Sequence, residues 1–281
     1  MLIVHSALAS DIITFEIGPL KKIFHLHSDL VAKLSRPLST LINGPFKEAH
    51  ERRVVWAETE VETFLFFAEF AMTGDYRVIK AAASNTTNDK AAPTQTAVGT
   101  TKTNNTPPPP QYRATANTIS PATYIWQRWT KQVFKTDFAP PTDKIGLQKQ
   151  NDGEVVDMGC ESLLRHAKVY VFAEYHDIGP LRQLAIHKIN SLLRHMFETG
   201  KDRNNHIIRF LEYCYTNAQA AKGRTDPLRM VAIACAWIVR RIFFIPDCGP
   251  MVLRNHVDLA PDLIWAMCQT ESLSPFPKPP G

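Results

Sequence analysis

The stretch from Asp11 to Tyr76 constrains the fold of this chain more than any other part of the sequence. Its hydrophobic pattern changes period several times and reads, in order, as strand, strand, helix, helix, strand and helix. This order predicts a small sheet packed against helices, an α+β arrangement. The stretch contains no recognisable catalytic constellation, so it points to a protein that binds another protein more strongly than to any reaction.

The first two strands form a predicted hairpin. A run of β-branched and aromatic residues over 12–17 ends at the turn signal Gly18-Pro19. Apolar and polar residues then alternate from Lys21 to His27, which is the pattern of a second, half-buried strand.

Two short helices and a third strand follow the hairpin. Ser28 is a favourable N-cap for the first helix, whose apolar residues are Leu30, Val31 and Leu34. Pro37 suits the first turn of the second helix. The run from Arg52 to Ala57 has the composition of a strand.

A longer, apolar helix closes the stretch. Thr59 and Glu62 stand at the spacing of a capping box, which would open this helix, and Gly74 is suited to end it. Its apolar surface is wider than one stripe because it carries Phe64, Phe66, Phe67 and Phe70. These rings can pack in the core or form a groove for a partner, and core packing is the favoured interpretation. We expect the helices after Gly159 to cover them.

The composition changes over residues 79–159. Most of this segment is rich in Ala, Thr, Asn and Pro and poor in large apolar residues, which predicts a largely disordered insert. The run from Pro107 to Pro110 favours polyproline II. It could be a ligand of an SH3-type domain, but a tolerated loop insertion is the favoured interpretation. Aromatic residues return from Tyr124 to Phe138, where we expect a short helix docked on the first module.

The remainder of the chain is predicted to be helical. We expect residues 160–200 to complete the fold begun by residues 1–78, and residues 201–281 to form a helical extension with a disordered tail. Apolar periodicity and start signals place five helices around Leu163–Glu174, Gly179–Leu192, Asn204–Tyr215, Asp226–Val239 and Pro261–Met267.

Composition and charge exclude several classes of function. The net charge of +5 is not concentrated in any block, so nucleic-acid binding is not expected. The five cysteines are widely spaced without a C-x-x-C pair, which predicts reduced thiols and argues against a metal finger or a disulfide framework. No apolar run reaches the roughly 18 residues of a membrane span. With no basic leader either, we expect a soluble protein of the cytoplasm or nucleus.

Few groups in the sequence could act as catalysts or ligands. Phosphate-binding glycine motifs and the G-x-S-x-G nucleophile motif are absent. His25 and His27 would lie on one face of a strand and could suit a metal, but no third ligand is near, so a hydrogen-bonded structural role is favoured. We expect no enzymatic activity, cofactor, metal or small-molecule substrate. The helical histidines are expected at helix surfaces: His166, His176, His187 and His195.

The sequence resembles a BTB/POZ domain of the fungal type. The matching parts are Asp11, the junction His27-Ser28-Asp29-Leu30, Ser35 closing the first helix, the GPFKE stretch from Gly44 to Glu48, the helix ETFLFFAEFAMTGDY and the later LLRHAKVYVFAEYHDIGPLRQLAIHKI. The resemblance covers 1–78 and 160–195 well and 196–265 loosely. The chain departs from it at Arg36-Pro37-Leu38, where the family usually has an aromatic residue, and we interpret this as local repacking.

The resemblance implies a non-enzymatic protein that self-associates as a homodimer and scaffolds a partner. The family associates mainly through its first helix and strands, which makes Leu30 and Leu34 the candidate self-association residues. Asp11 and His27 would then have structural roles.

The resemblance also suggests two kinds of partner. Some members of the family are substrate adaptors of cullin-type ubiquitin ligases, and others recruit transcriptional regulators. Phe46-Lys47-Glu48 fits the hydrophobic-x-Glu motif of the adaptors, which makes Phe46 and Glu48 candidate partner-binding residues. The alternative is that Phe46 caps the core and Glu48 is merely solvated.

Overall fold

The computed structural model describes residues 10–78, 160–199, 203–218, 226–240 and 249–271. The first range contains β1 (Ile12–Ile17), β2 (Lys22–His27), α1 (Ser28–Ala32), α2 (Arg36–Asn43), α3 (Lys47–Glu51), β3 (Arg53–Trp56) and α4 (Val61–Thr73). The later ranges contain α5 (Cys160–Tyr175), α6 (Gly179–Thr199), α7 (Arg203–Asn217), α8 (Pro227–Ile238), α9 (Gly249–Asn255) and α10 (Leu259–Glu271). The described chain is α+β, as the sequence predicts. The insert at 79–159 and the helix expected from Tyr124 to Phe138 lie outside the described residues.

The predicted hairpin is present. β1 and β2 are antiparallel, with Phe15 opposite Phe24. The turn between them is closed by the Lys21 N–H, which donates to the Gly18 carbonyl at 3.0 Å. Gly18 has φ +73°, a left-handed conformation that glycine adopts without steric cost, so the turn begins at a residue suited to it.

β3 completes a three-stranded sheet by pairing with β1. The strand order is β2-β1-β3, and β3 runs parallel to β1 with Val54 opposite Phe15. Parallel neighbours require a crossover connection, which α1, α2 and α3 supply here. The sequence predicts the strand but not its parallel partner, because the pairing joins residues far apart in the chain.

One face of the sheet belongs to the core. Ile13, Phe15 and Ile17 project from it and are completely buried. The Phe15 ring lies 5.2 Å from the Phe64 ring of α4, so the helix packs directly on the central strand. This contact fixes the layer order of the first module as sheet on helix.

The opposite face, here called the outer sheet face, is partly open. The register of the three strands places on it Ile12, Thr14, Glu16, Ile23, His25, His27, Arg53 and Val55. Three of these are aliphatic side chains that are each about half exposed: Ile12, Ile23 and Val55.

The four phenylalanines of α4 are buried, as core packing predicts. α5 supplies part of their cover, since the Phe67 ring lies 5.2 Å from the Phe172 ring. Trp56 of β3 also contacts Phe172, with ring centroids 5.5 Å apart. The residues before and after the insert therefore share one aromatic core.

A second set of contacts joins the two parts of the chain immediately after α4. Tyr76 is fully buried, and its hydroxyl is hydrogen-bonded to the His166 ring of α5 at 2.9 Å. Lys188 of α6 donates to the Tyr76 carbonyl at 2.8 Å and pairs with Asp75 at 2.7 Å. This arrangement holds the chain segment that leads into residues 79–159 against the helices that follow them.

A buried polar network ties the C-terminal helices together. The Arg229 guanidinium of α8 donates to the Asp262 carboxylate of α10 at 2.9 Å, and the Tyr215 hydroxyl of α7 donates to the same carboxylate at 3.0 Å. Asp226 caps α8 through the Leu228 N–H, as the sequence predicts. α7, α8 and α10 are thus linked by hydrogen bonds as well as by apolar packing.

The start of α1 differs from the sequence prediction. The N-cap position is His27, and Ser28 is the first helical residue, with no capping role for its side chain. The reason is that the Ser28 N–H donates to the Asp11 carbonyl at 2.8 Å, while the Asp29 N–H is satisfied by the Ser10 hydroxyl at 3.3 Å. Ser35, expected to close α1, instead caps α2 by accepting from the Leu38 N–H.

The predicted capping box at the start of α4 does not form. The N-cap position is Glu60 and has no side-chain hydrogen bond to the helix. Glu62 pairs with Arg165 of α5 at 3.0 Å, and Glu60 pairs with Lys168 of α5 at 2.7 Å. Arg165 therefore pairs with the Glu62 carboxylate that the capping box would have used. Gly74 ends the helix as predicted, with φ +79°.

Candidate protein-binding surfaces

The Phe46–Glu48 motif lies at the start of α3, a short helix that the sequence analysis missed. Phe46 is the N-cap residue, and its carbonyl accepts a hydrogen bond from the His50 ring at 2.8 Å. Gly44, which ends α2, lies so close to the preceding turn of the helix that no side chain fits. A Cβ there would lie 2.3 Å from the Thr40 carbonyl oxygen. The chain turns at Gly44, and Phe46 lies between the end of α2 and the start of α3.

Phe46 does not cap the core. Its side chain is 50% exposed and belongs to no part of the buried cluster, while Glu48, two residues later, is half-buried. An exposed aromatic ring suits a protein-binding surface, since aromatic residues dominate the energetics of such interfaces. Of the two alternatives for Phe46, the structure favours the surface position.

Leu30 and Leu34 are less exposed than a helix-mediated interface would suggest. Both are half-buried, and Leu34 packs against the core. α1 ends at Ala32, so Leu34 lies beyond it and not on the helix as predicted. Their role in self-association stays a prediction.

Asp11 and His27 connect the start of β1 with neighbouring elements. The His27 ring donates to the Ser10 carbonyl at 3.2 Å, and the Asp11 carboxylate pairs with Arg52 at 2.6 Å. The Asp11–Arg52 pair is largely exposed, so we assign it little stabilisation. Both residues join neighbouring elements, and their structural role stays a prediction.

His25 and His27 both belong to β2, and their rings are hydrogen-bonded to different partners. The His25 ring is hydrogen-bonded to the Thr14 hydroxyl at 3.3 Å. Among the described residues, no group of three or more histidine, cysteine or acidic side chains could hold a metal ion.

Two of the helical histidines were wrongly expected at the surface. His166 is buried against Tyr76, and burial, helped by Lys188 and Arg165, lowers its pKa to about 3. His176 is buried with its ring 4.4 Å from both Trp56 and Phe172, and burial lowers its pKa to about 4. Both imidazoles are therefore neutral at ordinary pH. The helical period shows which residues share a face but not which face another element covers.

The buried cysteines are poor nucleophiles. Burial raises the pKa of the Cys214 and Cys235 thiols well above the ordinary value. Because the thiolate is the reactive form, these side chains act as small apolar residues of the core.

An open groove of about 550 Å³ runs between the start of α4, α5 and α7. Its charges are balanced, and its charged lining consists of Glu62, Glu161, Glu212, Arg165, Lys168 and Arg209. Arg165 is paired with Glu62 and with Glu161, so the groove offers neither an acidic nor a basic ligand a clear preference.

The sequence analysis missed the outer sheet face and the Tyr76–His166 contact. The sequence does contain a signal for the outer sheet face, because Ile12 and Ile23 occupy the alternate strand positions that would be polar on a solvated face. It contains no signal for the Tyr76–His166 contact, since these two residues are separated by the whole insert.

No described helix is both long enough and apolar enough to span a bilayer. Comparisons with protein-family models, curated proteins and solved structures find no match to this chain.

Proposed function

We propose that this chain is a BTB/POZ-like interaction module that self-associates and presents a surface to one further protein. The observation that carries the proposal is the order of its elements: a hairpin, short helices, a third strand beside the first, and the phenylalanine-rich α4, covered by helices from beyond the insert. The residues at these junctions are the ones on which the resemblance rests.

A role in binding, without catalysis, fits the way the polar groups of the described core are used. His166 is bonded to Tyr76, and Arg229 to Asp262, so these buried groups hold elements together and do not face a solvent-filled cleft. Surface contacts would carry the function of such a protein.

The test of self-association is the molar mass of the full chain in solution. Light scattering coupled to size-exclusion chromatography should give a mass above that of one chain at tens of micromolar. A monodisperse monomer throughout that range would overturn the proposal.

A second candidate function is substrate adaptor of a cullin-type ubiquitin ligase. The observation that favours it is the 50% exposure of Phe46 at the start of α3, two residues before the half-buried Glu48. Removing an anchor ring from an interface commonly costs 2 kcal/mol or more, about thirtyfold in affinity.

A pull-down with a cullin N-terminal domain tests this function. We expect the full chain to bind, Phe46→Ala and Glu48→Ala to bind at least tenfold more weakly, and Leu65→Ala to bind normally. Leu65 is the control because it is also an exposed apolar residue, on α4. Equal binding by all variants, or no binding by the unmodified chain, would exclude the adaptor function.

A further inference from the structure

We propose that residues 272–281, here called the tail, fold back along the exposed side of α10 and cover it. The tail follows α10 directly in the sequence and lies outside the described residues. The inference is independent of the proposed self-association, and it differs from the expectation that the tail is disordered. It identifies an interaction surface whose partner is a segment of the same chain.

The inner side of α10 is held by the neighbouring helices. Leu259 and Ala266 are completely buried. The Asp262 carboxylate on the same side accepts hydrogen bonds from Arg229 and Tyr215 at 2.9 and 3.0 Å. These contacts determine the rotation of the helix about its axis, and they leave its opposite side facing solvent.

This opposite side, here called the α10 stripe, consists of five exposed residues: Ala260, Pro261, Ile264, Met267 and Cys268. Neighbouring members are three or four residues apart, so their side chains adjoin on the helix surface with no polar residue between them. Ile264 is 62% exposed and Met267 46% exposed. The outward side of a surface helix is ordinarily polar, so an apolar stripe indicates a surface that another segment covers.

The size of the α10 stripe argues against a second molecule as its cover. The stripe spans nine residues of helix, about 13 Å in length and about 10 Å in width, or roughly 130 Å². A standard interface buries about 800 Å² per partner. A segment attached to the helix itself needs less area, because the attachment raises its effective concentration to about the millimolar range.

The tail has a composition that suits docking in an extended form. Its large apolar residues are Leu273 and Phe276, and its four prolines are Pro275, Pro277, Pro279 and Pro280. Proline cannot continue a helix and restricts φ, so the tail has less conformational entropy to lose when it docks. The two apolar side chains are the groups that would contact the stripe.

The reach of the tail matches the length of the stripe. A residue in polyproline II advances about 3.1 Å, so Phe276 can lie about 15 Å from the end of α10. Ile264 is seven residues before Glu271, about 10 Å back along the helix. A tail that reverses direction after Glu271 can therefore bring Phe276 against Ile264. Leu273, closer to the turn, then lies beside Cys268.

Cys268 provides the probe for the test, because it is an exposed thiol within the stripe. A docked tail covers it, so the rate of its reaction with N-ethylmaleimide is proportional to the undocked population. Mass spectrometry of the peptide that contains Cys268 measures this rate. Cys214 and Cys235 are buried, and their labelling in the same samples would report unfolding.

The test compares variants of the full chain at low micromolar concentration. Leu273→Ser with Phe276→Ser removes the apolar side chains of the tail. Ser274→Ala with Lys278→Ala is the matched control, because it changes two polar residues of the same segment. Ile264→Ala alters the other side of the proposed contact.

We expect Cys268 to be labelled at equal rates in the unmodified chain and in the control. A tail that is docked for about four-fifths of the time slows labelling about fivefold, so the Leu273/Phe276 variant should react at least about fivefold faster. Ile264→Ala should also accelerate the reaction. Equal rates in all four forms would overturn the inference. A rate that falls with rising protein concentration in every form would identify a second copy as the cover and would overturn it as well.

Discussion

At the scale of single residues, Tyr76 joins the two parts of the chain through one hydrogen bond. Its hydroxyl and the His166 ring are both buried, so neither can exchange its partner for water. Removing the hydroxyl in Tyr76→Phe leaves the His166 nitrogen unpaired in the core. We expect the free energy of unfolding, measured by urea titration, to fall by about 1–3 kcal/mol.

Tyr175 provides the matched control for this change. It belongs to the same residue type and lies on α5, but it is exposed. Tyr175→Phe should leave the free energy of unfolding unchanged within about 0.5 kcal/mol. Equal effects of the two substitutions would mean that the Tyr76–His166 bond contributes nothing.

The buried histidines make stability depend on pH. The pKa of His166 in the folded chain is about 3 and that of His176 about 4, both below the ordinary value of 6.5. As the pH falls below 6.5, the unfolded chain takes up protons that the folded chain does not. The stability is therefore complete above about pH 7 and decreases at lower pH, approaching about 1.4 kcal/mol per pH unit for each histidine.

Urea titrations between pH 7.5 and about pH 5 measure this slope where most carboxylates are still ionised. His176→Phe replaces one imidazole by another ring among Trp56 and Phe172. The slope of this variant should be smaller by up to about 1.4 kcal/mol per pH unit. An unchanged slope would show that His176 is not buried in its neutral form.

At the scale of elements, the end of α4 depends on a glycine. Gly74 has φ +79°, and a Cβ there would meet nothing within 4 Å. The substitution Gly74→Ala therefore destabilises the fold only through the strain of a left-handed backbone at alanine. We expect a loss of about 1–2 kcal/mol in the free energy of unfolding. Gly179→Ala is the control, because Gly179 lies outside the left-handed region and also has open space around it. A similar loss in both variants would contradict this explanation.

The elements that the sequence predicts correctly are those that local chemistry determines. The hairpin follows from Gly18 and its flanking alternation, and α8 follows from Asp226 before Pro227. The parallel pairing of β1 with β3 is not predicted, because it is set by packing across the crossover helices. α3 and α9 were missed because they are too short for a clear hydrophobic period.

Long-range charge pairing explains why the capping box failed. Glu62 has the right spacing from Thr59, but its carboxylate pairs with Arg165 of α5, and the Thr59 N–H donates to the Trp56 carbonyl at 3.3 Å. For the candidate surfaces, the sequence identified Phe46 as a possible contact but could not establish its exposure. Which side of a module is covered depends on where distant elements dock.

At the scale of the whole molecule, the two parts of the chain form one core. Trp56 and Phe67 from before the insert contact Phe172 from after it. We therefore expect the chain to stay together after cleavage at a protease site introduced within residues 79–159. The two fragments should elute as one species in size-exclusion chromatography.

A cleavage variant that also carries Trp56→Ala tests whether the shared aromatic core is responsible. Trp56 is partly buried against the core, and losing a large ring there costs up to about 3–5 kcal/mol, so the fragments of this variant should separate or unfold. Separation of the fragments in the chain with an intact Trp56 would contradict the description of a single core.

The residues on either side of the segment 79–159 are held by the fold. Val78 is buried before it, and α5 starts at Cys160 after it. The entropy of closing a flexible loop between fixed ends grows only with the logarithm of its length, and doubling the length costs about 0.6 kcal/mol. By this relation, a flexible linker put in place of this connection can vary in length at little thermodynamic cost, as long as Val78 and Cys160 keep their positions. A reporter domain grafted between Val78 and Cys160 would leave the residues of the outer sheet face and of the Phe46–Glu48 motif unchanged.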